Sequence, residues 1–213
     1  MHRVCCQQLT RATGELANEP RLGAGLPVLR VDLSKRSVLG VPSPVPPHHE
    51  PMTRPGFRFA RVESPLGPMW VAETDYGLAA CSRADAPDAF LAALRRRFPG
   101  VEPIADDVDA SWFGGAPPPL DLTGLSPFDA RIYRVVRDIP PGETLTYGEV
   151  AALIGSPGAA RAVGGAMSRC PLFPAVPCHR VVRAADGWSG WGGDVALKRR
   201  LLAVERGSRP IPT

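Results

Sequence analysis

Between Val41 and Phe57 the chain reads VPSPVPPHHEPMTRPGF. Pro42, Pro44, Pro46, Pro47, Pro51 and Pro55 each remove a backbone donor and disfavour helix in the residue before them. No helix or central strand can run through such a stretch, so the folded part must be built from the residues C-terminal to it. Before the run only LPVLRVDL, Leu26–Leu33, has the look of an element. Residues 1–56 therefore read as a Pro-rich tail that forms no packed domain. Met52 is a candidate translation start, with residues 1–51 dispensable for a soluble, active product.

Beyond Gly56 the patterns sharpen. FRFARVES from Phe57 alternates as a strand does, PLG is a turn, and MWVAET and GLAACS give two further strands. DAPDAFLAALRRRFPG predicts a helix with Asp85 or Asp88 as its cap and Phe90, Leu91, Leu94 and Phe98 as its apolar stripe. Pro99-Gly100 ends it. Residues 57–115 thus form a small α/β unit, followed by a Pro- and Gly-containing linker at 116–125. Residues 126–207 are mainly helical, and 208–213 are a C-terminal tail. Ser126-Pro127 opens a helix with Phe128, Ile132, Val135 and Val136 on one face. Thr146-Tyr147-Gly148-Glu149 fits the reciprocal capping pattern and opens a second, which Gly155 closes. Ser156-Pro157 opens a third. Two short helices joined by a Gly-containing turn predict a helix-turn-helix.

In the third helix, Ala160, Val163, Gly164 and Met167 share the side expected to face the core. Arg161, Gly165, Ser168 and Arg169 share the opposite side. That face is small apart from its guanidinium groups. It suits either close approach to a phosphate-bearing partner or plain helix packing beneath solvated arginines.

The 213-residue chain carries a formal charge of +4, which permits a nucleic-acid partner without requiring one. Cys5, Cys6, Cys81, Cys170 and Cys178 form no regular framework, so reduced thiols in a cytoplasmic protein are expected. No apolar run reaches membrane-spanning length. The spacing of cysteines and histidines fits no common zinc pattern.

CPLFPAVPCHRVV, Cys170–Val182, sets a thiol beside an imidazole after closely spaced prolines. Cys178 is open to three readings: a buried structural thiol, a metal ligand or a nucleophile. In extended chain, neighbouring side chains diverge, so contact between Cys178 and His179 needs a bend or a bridging water. A base also needs an orienting group. Asp194 caps a last helix whose Leu197, Leu201 and Val204 point inward, and Glu205 sits at the edge of that stripe. Its partner is His179 or Arg180 inside, or Lys198 or Arg206 at the surface.

PCHRVV at 177–182, TYGEVAALIGSPGAARAVGGAM at 146–167 and GWSGWGG at 187–193 together resemble the O6-alkylguanine-DNA alkyltransferases, the methylated-DNA–protein-cysteine methyltransferases. The resemblance spans about 57–207 and is densest across 126–205. It implies an α+β protein with an RNase H-like first domain and a helix-turn-helix, winged-helix-like second domain. It implies DNA repair by one-time transfer of an alkyl group from O6-alkylguanine, and from O4-alkylthymine as a further candidate, to Cys178. Within it, His179 resembles the base acting through water, Glu205 its orienting carboxylate and Tyr147 the phenol that assists departure of the guanine. Arg161 resembles the arginine that enters the base stack. Ala160, Gly164, Gly165, Ser168 and Arg169 complete the implied contact with the minor groove of double-stranded DNA. Met167, Pro177, Val181 and Trp191 line the implied alkyl and base pocket. No cofactor or metal, no membrane and a monomer are expected. The alternative is a lesion-binding protein of the alkyltransferase-like type, which recognises the alkylated base without accepting the group.

The chain also departs from that pattern. Cys170 stands where the family usually has an asparagine that braces the turn before the acceptor, and a thiol is a poorer hydrogen-bonding substitute. Trp191 replaces a tyrosine and Phe173 a smaller residue, which bears on pocket width. Leu125 and Tyr133 depart as packing changes.

Overall fold

The computed structural model describes residues 56–185 and 194–207. The expectations for residues 1–55, including Met52, for GWSGWGG with Trp191, and for 208–213 lie outside the described residues. Strands β1 (Phe57–Val62), β2 (Met69–Thr74), β3 (Gly77–Ser82) and β4 (Pro103–Ala105) form one sheet in the order β3-β2-β1-β4. The first three pair antiparallel and β4 pairs parallel with β1. β4 is short, and its run PIA carries no strand signal.

Alternation puts Met69 and Val71 of β2 on one face and Trp70 and Ala72 on the other. On β3 the alternation breaks usefully. Val71 pairs with Cys81, Ala72 with Ala80 and Glu73 with Leu78, so Ala79 is an extra residue. Such a bulge lets Ala79 and Ala80 face the same side while Leu78 and Cys81 both face the other. Without the extra residue, Leu78 and Cys81, three positions apart, would point to opposite faces.

The Ala79 face is covered by α1 (Pro87–Arg97), which buries Phe90 and Leu94 against Phe57 and Ala72. Each of these two helix side chains contributes about 1.5–3 kcal/mol by leaving water. The expected cap is corrected here: the N-cap is Ala86, with no side-chain bond, and Asp88 lies inside the first turn. Pro87 occupies the first helical position, where its missing N–H leaves one fewer orphan donor and its fixed φ suits the helix start. At the other end Arg97 ties helix, sheet and the following segment together. Its guanidinium donates to Ala79 O, Asp121 O and Thr123 O. The 116–125 segment runs beside β3, with Leu78 N–H bonded to Pro119 O at 2.8 Å and Asp121 N–H to Leu78 O at 2.9 Å. Gly77 (φ +125°) lies so close to the Pro119 carbonyl that a Cβ has no room there.

The Leu78–Cys81 face packs on the helical half. Helix α2 (Pro127–Arg137) is capped by Ser126, whose side chain accepts from Asp129 N–H at 3.0 Å. Ile132 and Val136 are buried as expected, while Phe128 and Val135 are half-buried. Tyr133 is buried too, and its hydroxyl donates to Ala166 O at 3.0 Å. β5 (Leu145–Thr146) leads into α3 (Tyr147–Leu153), and the Thr146/Glu149 capping box forms in both directions. Gly155, at φ +73°, ends that helix.

The next helix begins later than Ser156-Pro157 predicts. Residues Ser156–Ala159 make a turn closed by Ala159 N–H to Ser156 O at 3.0 Å, with Gly158 at φ +97°. Helix α4 (Ala160–Ser168) then starts from Ala159 without a side-chain cap. Gly158 in the left-handed region cannot belong to a right-handed helix, so the serine hydroxyl is too far upstream to cap it. The remaining elements are β6 (Val181–Val182), parallel to β5, and α5 (Val195–Glu205). The architecture is mixed α/β. No helix among the described residues is long and apolar enough to cross a membrane.

Candidate functional site

Three local features bring the Cys-His segment, Tyr147 and the end of α5 together. The first is a tight 3-10 turn at Cys178–Arg180, which comes directly after Pro177. It supplies the bend that an extended Cys-His pair lacks. The second is the parallel pairing of Leu145 with Val181 and of Thr146 with Val182. That pairing fixes the start of α3, and so Tyr147, beside the chain leaving Cys178. The third is α5. Asp194 accepts from Leu197 N–H at 3.0 Å, and Leu197, Leu201, Leu202 and Val204 are buried, so the helix ends with Glu205 directed inward.

Glu205 is the hub of the polar part. Its Oε1 lies 2.8 Å from His179 Nε2 and accepts from Arg180 Nη2 at 2.7 Å. Its Oε2 accepts from Arg180 Nε at 3.0 Å and from Gly142 N–H at 3.2 Å. The carboxylate is only 3% exposed. Of the partners open in the sequence, His179 and Arg180 are both engaged and the surface alternatives are not the ones observed. Burial works to raise the Glu205 carboxyl, but the His179 and Arg180 interactions overcome it and hold it at about 2. His179 is moved the other way. Burial lowers it below its ordinary 6.5 despite the attraction of Glu205, so near neutral pH the ring is uncharged. With a carboxylate at Nε2, the neutral ring carries its proton there, and base chemistry runs through Nδ1. The Phe173 ring meets His179 edge-on, centroids 5.8 Å apart, and so helps fix the imidazole plane.

Cys178 is 1% exposed. Burial raises its thiol well above the ordinary 9.0. The hydrogen-bonding neighbour Cys170 adds to this, while the charge of Lys198 opposes it. The resting group is a thiol awaiting a base. Lys198 is fully buried, and its ammonium donates to Val181 O at 2.7 Å. From sequence, Lys198 is only a surface partner for Glu205. Its position beside Leu197 and one turn before Leu201, within the inward stripe, is the signal available for burial. Tyr133, whose phenol is pushed up by burial first and then by the neighbouring Cys170, Asp129 and Cys178, likewise registers in the sequence only as a packing change.

The other expected residues divide by exposure. Pro177 and Val181 are buried around the Cys178 turn, and Met167 is in the same core cluster as Cys178. Tyr147 is half-buried, with its ring against α4: a Cβ added at Gly164 would meet it at 3.9 Å. On α4 the expected core side holds for Val163 and Met167. Ala160 and Gly164 are half-buried, and Ala166, outside the expected set, is buried. Arg161, Ser168 and Arg169 are exposed, and Gly165 is half-buried. Arg169 folds back across Gly165 and pairs with Asp129 at 3.2 Å. At 61% exposure that pair is weak, about 0–1 kcal/mol, and yields readily to a stronger anion. Among the described residues no cluster of three or more His, Cys, Asp and Glu side chains has the geometry to hold a metal.

Residues 127–207 match the family described as 6-O-methylguanine DNA methyltransferase, DNA binding domain. Over 91 residues the chain is 50% identical to a methylated-DNA–protein-cysteine methyltransferase of Mycolicibacterium paratuberculosis, covering 43% of this chain and 54% of that one. This match thus spans about half of that relative's length. Over 150 residues the chain is 37% identical to a DNA base-flipping protein of Thermus thermophilus, covering 67% of this chain and 95% of that protein. A methylated-DNA–protein-cysteine methyltransferase of Salmonella typhimurium is 34% identical over 159 residues, 68% of this chain and 93% of its own length. Likeness at that identity over nearly a whole relative extends through both halves of the fold, and the chain belongs to the methylated-DNA–protein-cysteine methyltransferase family.

Proposed function

We propose that this protein repairs DNA by moving an alkyl group from guanine O6, in double-stranded DNA, onto Sγ of Cys178, once per molecule. The observation that carries the reading is the buried Glu205–His179 pair one residue from a buried thiol. A structural cysteine needs no such neighbour. A nucleophile that burial keeps protonated does.

The chemistry comes from the residue types. The alkyl carbon is a soft electrophile, for which a thiolate is the fitting nucleophile. His179 Nδ1 takes the Cys178 proton through a water molecule, and Glu205, ionised down to about 2, stabilises the imidazolium that results. The S–C bond forms as the C–O6 bond breaks. The guanine leaves with the bonding pair and takes a proton from the Tyr147 phenol. The thioether is stable, so the protein is consumed.

A thiol 1% exposed cannot meet a base inside a duplex, so the lesion must be flipped out. In this reading α4 enters the minor groove with its small face. Arg161 fills the vacated stack, Arg169 exchanges Asp129 for phosphate, and Ala160, Gly164, Gly165 and Ser168 allow close backbone approach. Met167, Pro177, Val181 and Trp191 line the pocket. The fold divides into an RNase H-like unit at 57–115, a 116–125 connector and a helix-turn-helix unit at 126–207. The protein acts as a monomer in the cytoplasm, where its thiols stay reduced.

Intact mass after incubation with an O6-methylguanine duplex tests this. One methyl should appear on the peptide containing Cys178, and Cys178→Ser should gain none. Tight binding to the lesion with no added mass would overturn the transferase reading in favour of a lesion-binding protein, a role in keeping with the name of the Thermus relative.

A further inference from the structure

Cys170 has no role in the chemistry above, yet it lies against the nucleophile. It comes just after the last turn of α4, with its N–H directed to Met167 O at 3.4 Å, and its half-buried side chain packs on the core that contains Cys178. The two thiols interact: after burial, Cys170 is the neighbour that does most to raise the Cys178 thiol. The chain between them is held in a compact loop. Val176 N–H bonds Leu172 O at 2.9 Å, Cys178 N–H bonds Val176 O at 2.8 Å, and Cys81 N–H of β3 bonds Pro171 O at 2.7 Å. The segment joining the two cysteines is thus pinned within itself and to β3, an arrangement in which a disulfide between its ends asks for little movement of the backbone. Exposure is graded as well: Cys170 is half-buried and Cys178 is 1% exposed, so a small oxidant reaches Cys170 first.

We propose that Cys170 and Cys178 form a reversible disulfide under oxidising conditions, which takes the acceptor thiol out of use and shields it from further oxidation. The oxidant class is a hydroperoxide. Hydrogen peroxide transfers an oxygen to Cys170, giving the sulfenic acid and water. Cys178 sulfur then attacks the Cys170 sulfur and the S–S bond forms. The sulfenic hydroxyl departs with the Cys178 proton as a second water, so two thiols and one peroxide give one disulfide and two waters. A dithiol reductant reverses it by exchange. A disulfide lies on the reversible part of the oxidation ladder, whereas an unprotected sulfenic acid proceeds to sulfinic acid. Cys81, buried and near enough to feel Cys170, is the rival partner. Cys178 is followed directly by His179, whose imidazole can take the attacking thiol's proton, whereas Cys81 lies between Ala80 and Ser82. Formation of the bond is independent of the proposed alkyl transfer; only its consequence for repair rests on that reading.

The test uses the full chain. Protein treated with hydrogen peroxide is quenched with iodoacetamide and its peptides are weighed without reduction. A Cys170–Cys178 linked peptide that dithiothreitol dissolves is expected. Methyl uptake from an O6-methylguanine duplex should be lost after peroxide and regained after dithiothreitol. In Cys170→Asn and Cys170→Ser the loss should be permanent, with Cys178 carried to sulfinic acid. Three results would each overturn the proposal: Cys178 still alkylated by iodoacetamide after peroxide, sulfinic acid at Cys178 of the unaltered protein without a link, or Cys170 linked to Cys81. A linked peptide in a protein that takes up no methyl even when reduced would uphold the disulfide and refute the alkyl-transfer reading.

Discussion

Replacing Glu205 by glutamine removes one charge from a site that water barely reaches. The carboxylate accepts from His179, Arg180 and Gly142 through both oxygens. A glutamine offers one accepting oxygen, and its NH₂ must then face donors, whichever way it turns. Arg180, 12% exposed, loses its counter-charge and retains its bond to Ile139 O. Leaving one partner of a buried ion pair alone costs about 3–5 kcal/mol. With a urea m-value of about 2 kcal/mol/M, the midpoint of unfolding should fall by about 1.5–2.5 M at neutral pH. The pH dependence identifies the cause. The folded carboxyl, at about 2, titrates below its ordinary 4.5, so its contribution is complete above 4.5 and is lost as pH falls through about 2. The gap between Glu205→Gln and the unaltered protein should therefore close across that window. Measured where the variant is still folded, methyl uptake should slow by about 100-fold or more, because an amide at Nε2 no longer supports the imidazolium. A midpoint shift below about 0.5 M, the scale of an exposed pair, would contradict a buried, charge-bearing Glu205, and so would a gap that persists at acid pH.

Further outcomes concern the rest of the site and its frame. His179 is held below 6.5 by burial, so the stability it contributes is present above 6.5 and lost as pH falls; Cys178, raised above 9.0 mainly by burial, adds stability that is lost as pH climbs past 9.0. Urea midpoints should therefore decline on both sides of that range, and iodoacetamide should label Cys178 in the free protein more slowly than it labels free cysteine; equal rates would contradict a raised thiol. Thr146→Ala should cost about 1–2 kcal/mol in urea unfolding by removing the cap of α3, with Thr146→Ser recovering most of it. Gly164→Ala should be tolerated or gain about 0.5–1 kcal/mol, because a Cβ there meets the Tyr147 ring at ordinary contact distance, whereas Gly164→Leu should cost about 1–3 kcal/mol and displace the phenol. Arg161→Ala should reduce methyl uptake while leaving stability in urea within about 0.5 kcal/mol of the original, since Arg161 is exposed.

The chain's own order fixed what local rules govern. Alternation placed β1, strand-type runs between turns placed β2 and β3, and the hydroxyls of Ser126 and Thr146 marked their helix starts, because a capping bond spans only a few residues. PCHRVV, read with TYGEVAALIGSPGAARAVGGAM and GWSGWGG, carried the family resemblance. Local rules also misled where neighbours compete. Ser156-Pro157 has the form of a helix start, but Gly158 at φ +97° turns the chain first and delays α4 to Ala160. Asp85 and Asp88 flank a start that Ala86 and Pro87 occupy. Long-range packing decided the rest. Glu205 had several partners open to it, and only the approach of α5 to the Cys178–Arg180 turn selects His179 and Arg180. Lys198 is buried because Val181 O waits beneath it, and the extra residue in β3 brings Cys81 to the same core face as Leu78. Cys170 was legible only as a departure from a pattern; that it rests against Cys178 comes from a loop pinned to β3. Sequence specifies bonds that close within a turn or two, whereas the charge and protonation of a buried group depend on what the rest of the chain brings to it.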